Sequence, residues 1–525
     1  MMKKIYFLAI ILALLSCEDK LEIPLQSSIS TINFFQSQSD FDLALTGAYD
    51  PIASHQPGNG NGTYFRGLMI LGRAGTDEMY ATQQFQAGFE ITDYTFTPAN
   101  QYTESVWEFQ YVGISRANTI LNRLPAAIER GVEIPQSEID RISGEAYFLR
   151  GFYYWQLARL YGGVPLVTQE VVDVNTLSLV RNTLAETYAQ IIADFEQAEA
   201  LLPVVNQNGR ARKYAATTFL AKAYLQMAGE PLNDATAAAK SLEYTTKVID
   251  EGGFALVPNY QDCFNYRDEY HSEYIFDAEY TFCGNCEGGQ VGTWSGAPDF
   301  TFTQAYTLVR TFAEHYFSYD ENDPRREWNI ARYRIIDAQG TREPLEVGDT
   351  SYYAYKWRHD TDEDERPEGF FEWQSPFNFP ITRYADVLLM HAEALWRQAG
   401  SPAGFTDSRA LDAINQVRRR AYGVDLGTAD PAVDLVSIDE QALLDERKWE
   451  LCYEGHRWHD LVRFGKLEEA VKSINYEHDP NLPRPDLSWQ PHHIFFPIPQ
   501  TVIDTGGGDL KQNCGYSSDC FNSEQ

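Results

Sequence analysis

Four groups of side chains in this sequence have the types and spacing that chemistry demands. His456-Arg-Trp-His459, with Glu454 just upstream, puts two imidazoles and a carboxylate within reach of a transition metal. Asp360-x-Asp362-x-Asp364 has the spacing that begins a calcium loop, but Glu365 stands where the turn glycine belongs. Cys283-x-x-Cys286 and the pair Cys514 and Cys520 can each close a short loop. Four rings, Tyr80, Phe85, Trp294 and Trp373, sit in polar context, Trp294 within Gly-Thr-Trp-Ser-Gly-Ala-Pro and Trp373 within Phe-Glu-Trp-Gln-Ser-Pro. Exposed flat rings beside amides, carboxylates and guanidinium groups suit sugars, whose C–H faces stack on the π-cloud while their hydroxyls take hydrogen bonds. These four are the candidate glycan-binding residues.

The first three groups have plainer readings. The two histidines lie in a Trp-rich amphipathic helix and are expected to be packed side chains. The acidic run is expected to be a solvated loop. Cys283 and Cys286 sit in a glycine-rich segment without the strand and helix that would lower a thiol pKa, so a loop staple is favoured over redox or zinc chemistry. No metal and no cofactor are expected. The sequence contains no His-Glu-x-x-His, Gly-x-Ser-x-Gly or Gly-x-x-x-x-Gly-Lys-[Ser/Thr], and Gly58-x-Gly-x-Gly62 follows no predicted strand. Lys and Arg number 42 against 75 Asp and Glu, a net charge of −33 that repels phosphate backbones and excludes nucleic acid as a partner.

The elements that must position the rings are helices. Apolar residues recur at three and four over roughly 34–53, 103–125, 137–160, 181–201, 211–229, 234–252, 383–400, 407–421 and 438–465. The stretch 211–252 forms a hairpin about the length of one tetratricopeptide unit, without the strict consensus of that repeat. The expected fold is mostly α, with tetratricopeptide-like helical hairpins as a scaffold and a loop-rich, irregular ligand-binding region. Periodicity breaks down at about 56–100 and 254–380, and loops that long inside a compact body usually carry function.

The N-terminus sets the compartment. Met-Met-Lys-Lys precedes an apolar run from Ile5 to Leu15, 11 residues against the roughly 20 a spanning helix needs, and Ser16-Cys17 follows. This resembles a bacterial lipobox, with residues 1–16 as the signal peptide, Cys17 as the lipid anchor and 17–32 as a tether. Glu18-Asp19 resembles the surface-export signal of Bacteroidetes-type lipoproteins. Residues 33–525 form a single body.

The C-terminal half carries a family resemblance. Arg383-Tyr-Ala-Asp-Val-Leu-Leu-Met-His-Ala-Glu-Ala-Leu395, Ile414-Asn-Gln-Val-Arg418, and the run Glu446-Arg-Lys-Trp-Glu-Leu-Cys-Tyr-Glu-Gly-His-Arg-Trp-His-Asp-Leu461 with Arg463-Phe-Gly465 resemble the SusD/RagB family of outer-membrane lipoproteins. Phe496-Pro-Ile-Pro-Gln500 and Leu510-Lys-Gln-Asn513 resemble its closing motif, with Cys514 where proline is usual. Upstream, Arg116-Ala-Asn118 and Leu160-Tyr-Gly-Gly-Val-Pro165 fit the same pattern. The resemblance implies a non-enzymatic, surface-exposed outer-membrane protein that captures oligo- or polysaccharide and delivers it to a TonB-dependent, SusC-like transporter. It also implies that ligand residues lie in variable loops, here the stretches Tyr80 to Phe89 and Cys283 to Asp299. Two alternatives belong to other classes: a tetratricopeptide-like protein-interaction subunit of the transporter, and a lipid-anchored glycoside hydrolase.

Overall fold

The computed structural model describes residues 34–53, 63–173, 179–280, 289–292, 296–297, 307–336, 341–346, 349, 351–358, 375, 377–476, 482–506 and 508–522. Cys17, Cys283, Cys286, Trp294, Trp373 and the Asp360 to Asp364 run lie outside them.

The body is built on helices that follow the apolar period closely: α1 (Gln38–Ala53), α2 (Gln101–Glu129), α3 (Gln136–Tyr161), α4 (Leu184–Leu201), α5 (Lys213–Met227), α6 (Ala237–Glu251), α7 (Tyr384–Gln398), α8 (Ser408–Tyr422) and α9 (Glu440–Glu450). Their ends are marked in the sequence. The Asn100 side chain accepts from Tyr102 N at the start of α2, Thr183 and Glu186 form a capping box on α4, and Asp407 and Asp439 cap α8 and α9. Gly423 ends α8 in the left-handed region at φ 67°.

Packing follows chain order. α1 lies on α2, α2 on α3, and so on through α6, whose next neighbour is α7 and then α8. Close approach depends on small residues: a Cβ on Gly113 of α2 would stand 2.2 Å from the Tyr153 ring of α3, whose hydroxyl donates to Ala48 O of α1 at 2.6 Å. Phe148 and Phe152 of α3, Phe195 of α4 and Phe219 of α5 form one buried ring cluster, which Phe276 joins edge-on, 4.9 Å from Phe148.

Phe276 belongs to β2 (Tyr274–Ala278), which pairs antiparallel with β4 (Phe379–Arg383), the strand that runs straight into α7. A second antiparallel pair joins β1 (Met79–Ala81) to β3 (Val309–Thr311), with Tyr80 opposite Arg310. The described residues of the 254–380 stretch thus form loops, short helices and two-stranded ladders laid against the helical frame.

One expected helix is broken. The 438–465 pattern gives α9 and then α10 (Arg457–Arg463), separated by a turn in which Tyr453 and Gly455 take φ 65° and 80°. The cause is long-range. Glu450 O accepts from Lys356 Nζ (2.9 Å), an Arg383 guanidinium N–H (2.7 Å) and Tyr260 OH (3.3 Å), and Glu454 N turns to Leu451 O instead.

Candidate functional site

The motif Glu446 to Gly465 is a buried ionic frame. Arg383, fully enclosed, donates to Glu454 (2.8 Å), to Glu273 (2.7 Å) and to Glu450 (2.6 Å). Arg420 bridges Glu273 and Glu450 from α8, and Lys356 meets Glu454 at 2.6 Å. Arg325 links Asp323 to Glu446 and Glu450 at 2.7 and 3.0 Å. Burial alone would raise the Glu450 carboxyl, but Arg420, Arg383 and Arg325 hold it well below the usual carboxylate range. Glu273 is lowered in the same way against its burial, by Arg420 and Arg383.

This frame holds an open cleft of about 510 Å³. One side is the 3₁₀ turn Tyr260–Phe264 and the residues after it, which present Phe264, Asn265, Tyr266 and Arg267. The opposite side is the short helix Arg325–Asn329, which presents Glu327 and Trp328, and Arg342 and Arg358 complete the lining with Gln261 and Asp262. Each wall is tied to the same node. Tyr260 OH reaches Glu450 O, while Arg325 anchors the Trp328 helix to Glu446 and Glu450. Phe264, at the floor, lies under Lys356 Nζ at 4.6 Å and Arg383 at 5.6 Å. The Arg358 guanidinium lies 4.1 Å over the Trp328 ring, donates to Tyr355 O at 3.0 Å and also reaches the Trp328 carbonyl. Rings, amides and guanidinium groups therefore converge on a space large enough for several sugar units.

Two other concavities fit a carbohydrate less well. A pocket of about 90 Å³ lies among Arg210, Arg212, Glu269, Tyr270 and Asp277, with room for little more than water. Burial pushes Glu269 up to about 8 and Asp277 up to about 7 there. Both raised carboxyls thus line a space much smaller than the cleft. A shallow groove of about 540 Å³ runs along α2 past Glu104, Glu108 and Tyr111, but its Trp107 is buried against Tyr161.

The structure relocates two of the predicted rings. Tyr80, 7% exposed, packs on Phe312 at 4.8 Å within a small core of Ile474, Tyr476 and Leu482. Phe85, 9% exposed, meets Tyr102 edge-on at 5.4 Å and covers Gly88, where a Cβ would come within 2.3 Å of its ring. Neither presents a face to solvent, so both are core residues and not an outward platform. Their polar neighbours in sequence misled, because β1 is buried along its whole length. His456 and His459 are packed as expected, and burial drives both well below the ordinary imidazole range. Among the described residues no cluster of three or more His, Cys, Asp or Glu is arranged for a metal. Cys514 and Cys520 form a disulfide, whereas Cys263 and Cys452 are buried thiols.

Sequence reasoning missed Tyr266 and Trp328. The available signal was position, since both fall in the aperiodic 254–380 stretch, Trp328 directly after Arg-Arg-Glu.

The chain is matched by known proteins over most of its length. The model described as "SusD family" matches residues 203–516. The chain belongs to the SusD family. A second model, described as "Starch-binding associating with outer membrane", matches residues 24–225. A SusD-like protein of Formosa agariphila is 30% identical over 487 residues, covering 88% of this chain and 90% of the relative. Among solved structures, a SusD homolog from Bacteroides thetaiotaomicron superposes with TM-score 0.80 at 24% identity, over 92% of this chain and 98% of that one. Surface glycan-binding protein A from Bacteroides thetaiotaomicron, solved in complex with laminarihexaose, gives TM-score 0.71 at 21% identity, over 91% and 99% of the two chains. The SusD fold is thus shared along nearly the whole length.

Proposed function

We propose that this chain is a cell-surface glycan-binding lipoprotein that captures oligo- or polysaccharide in the Tyr266–Trp328 cleft and delivers it to a SusC-like TonB-dependent transporter. The observation that carries the binding site is the cleft itself, where the partly exposed rings of Tyr266 and Trp328 are joined by Asn265, Gln261 and three arginines, with the buried Phe264 ring behind them. The match to a family of starch-binding proteins that associate with the outer membrane, and the laminarihexaose bound to a structural neighbour, support carbohydrate as the ligand class.

Anchoring through Cys17 rests on the lipobox-like N-terminus, and delivery to the transporter rests on family membership. Trp294 and Trp373 remain proposed contributors. The role is binding without hydrolysis. A glycosidase needs a carboxyl held protonated beside the scissile bond, and among the described residues the carboxyls raised to about 7 or 8 lie away from the cleft lining, Glu269 and Asp277 at the small pocket and Glu78 buried beside β1.

Affinity electrophoresis and calorimetry against starch, laminarin, xylan and sulfated algal polysaccharides test the proposal. Retention by at least one polymer, without release of reducing ends, is the expected result. No retention by any polymer, or cleavage of the retained one, contradicts it.

A further inference from the structure

Phe317 is 70% exposed, yet it does not sit on a loose loop. Its short helix, Ala313–Ser318, is pinned from below. His315 is fully buried, Ser318 Oγ donates to His315 O at 2.8 Å, and the Trp449 indole N–H of α9 donates to Ser318 Oγ at 3.2 Å. The neighbouring Tyr316 stands 5.4 Å from Phe317 and edge-on to it, and Tyr352 backs both rings at 5.4 and 6.1 Å. Arg332 lies 4.2 Å over the Tyr352 ring, closing the stack from below.

This ring group continues the cleft. Glu327, which lines the cleft beside Trp328, accepts the Tyr316 hydroxyl at 2.6 Å, and Arg326 lies 4.9 Å over the Tyr316 ring while donating to Glu327 at 3.1 Å. Trp328, Glu327, Tyr316 and Phe317 thus form one strip, with rings at its ends and a half-solvated carboxylate and phenol between them. Both short helices that carry the strip are fastened to α9, one through Arg325 and the other through Trp449.

We propose that Phe317, supported by Tyr316, is an outer carbohydrate subsite of the same ligand, so that the protein grips an extended stretch of glycan chain and not a chain end. This rests on the cleft being the binding site. A rigid, solvent-facing ring exposes apolar area in the free protein and gains stacking only when a flat apolar face lies on it. The glycan already seated at Trp328 delivers its next sugars to that position, with Glu327 and Tyr316 placed to take their hydroxyls.

The test compares chain lengths. Laminari- and malto-oligosaccharides of three and six sugars, with the parent polysaccharides, are titrated into wild type, Phe317→Ala, Phe317→Trp and Trp328→Ala. With stacking on the scale of aromatic pairs, Phe317→Ala weakens the six-sugar or polymer complex about twofold to tenfold, leaves the three-sugar complex unchanged, and is rescued by Phe317→Trp. Trp328→Ala weakens both lengths. Equal affinities of wild type and Phe317→Ala for every bound ligand, with Trp328→Ala impaired, overturn the outer subsite and leave the cleft standing. If Trp328→Ala also binds normally, or if wild type binds none of these glycans and retains neither xylan nor a sulfated algal polysaccharide, both proposals fall; where only one of those polymers is retained, its own three- and six-sugar fragments are titrated in the same way. Reduced co-purification of Phe317→Ala with an outer-membrane barrel, at unchanged glycan affinity, assigns the ring to a protein contact and overturns the subsite.

Discussion

Arg383 and Glu450 meet twice. One guanidinium nitrogen lies 2.6 Å from the Glu450 carboxylate, while another takes the backbone carbonyl of the same residue at 2.7 Å. The side-chain contact neutralises a fully buried acid, and the backbone contact stops helix α9 and turns the chain toward Gly455. The same carboxylate also receives Arg325, whose helix sets Trp328 in the cleft wall. The buried ionic frame therefore determines the shape of the cleft.

Glu450→Gln leaves Arg383, Arg420 and Arg325, all fully buried, short of countercharge. Breaking one partner of a buried ion pair costs about 3–5 kcal/mol. The expected result is a large drop in chemical-denaturation midpoint relative to wild type, and a midpoint within error of wild type contradicts the frame.

Acid should loosen the same frame. Glu393, buried but facing Arg463 and Arg397, is lowered to about 2, and Glu450 and Asp386 are lowered in the same sense. A depressed carboxyl stabilises the fold above its unfolded pKa and loses that contribution as pH falls through its folded value, so melting temperature declines from about pH 4.5 toward 2.

Glu78 behaves in the opposite way. Burial raises it to about 7, so its contribution is complete below its unfolded pKa and is lost as pH rises through 7. Glu78→Gln should flatten the loss of stability on that side, and an unchanged pH profile of the melting temperature counts against the assignment.

Tyr80 and Trp328 should separate stability from binding. Tyr80→Ala empties a core site and costs about 3–5 kcal/mol by analogy with large aromatic truncations, with glycan affinity of the folded fraction unchanged. Trp328→Ala should weaken polysaccharide binding by about tenfold, on the scale of an interface anchor, and leave the fold intact by circular dichroism. The reverse pattern would return the binding role to Tyr80.

The helices were legible because their signals are local. Periodicity over 181–201 and 407–421 places α4, observed at Leu184–Leu201, and α8, observed at Ser408–Tyr422, to within a few positions. The break after Glu450 was not legible, since it is imposed by Lys356 and Arg383 from far along the chain. The cleft was hidden for a related reason. Its lining comes from 261–267, 324–328, Arg342 and Arg358, and only the packed frame brings these together. Tyr80 and Phe85 show the limit of composition as a guide, because glycine and polar neighbours say nothing about which face of a three-residue strand or a helix start is covered.

A crystal structure of the protein with the glycan that it retains is the most direct test of the central claim. The account predicts a sugar ring against Trp328 and Tyr266, with further sugars running past Glu327. Sugar density elsewhere on the molecule, with this cleft filled only by water, would contradict it.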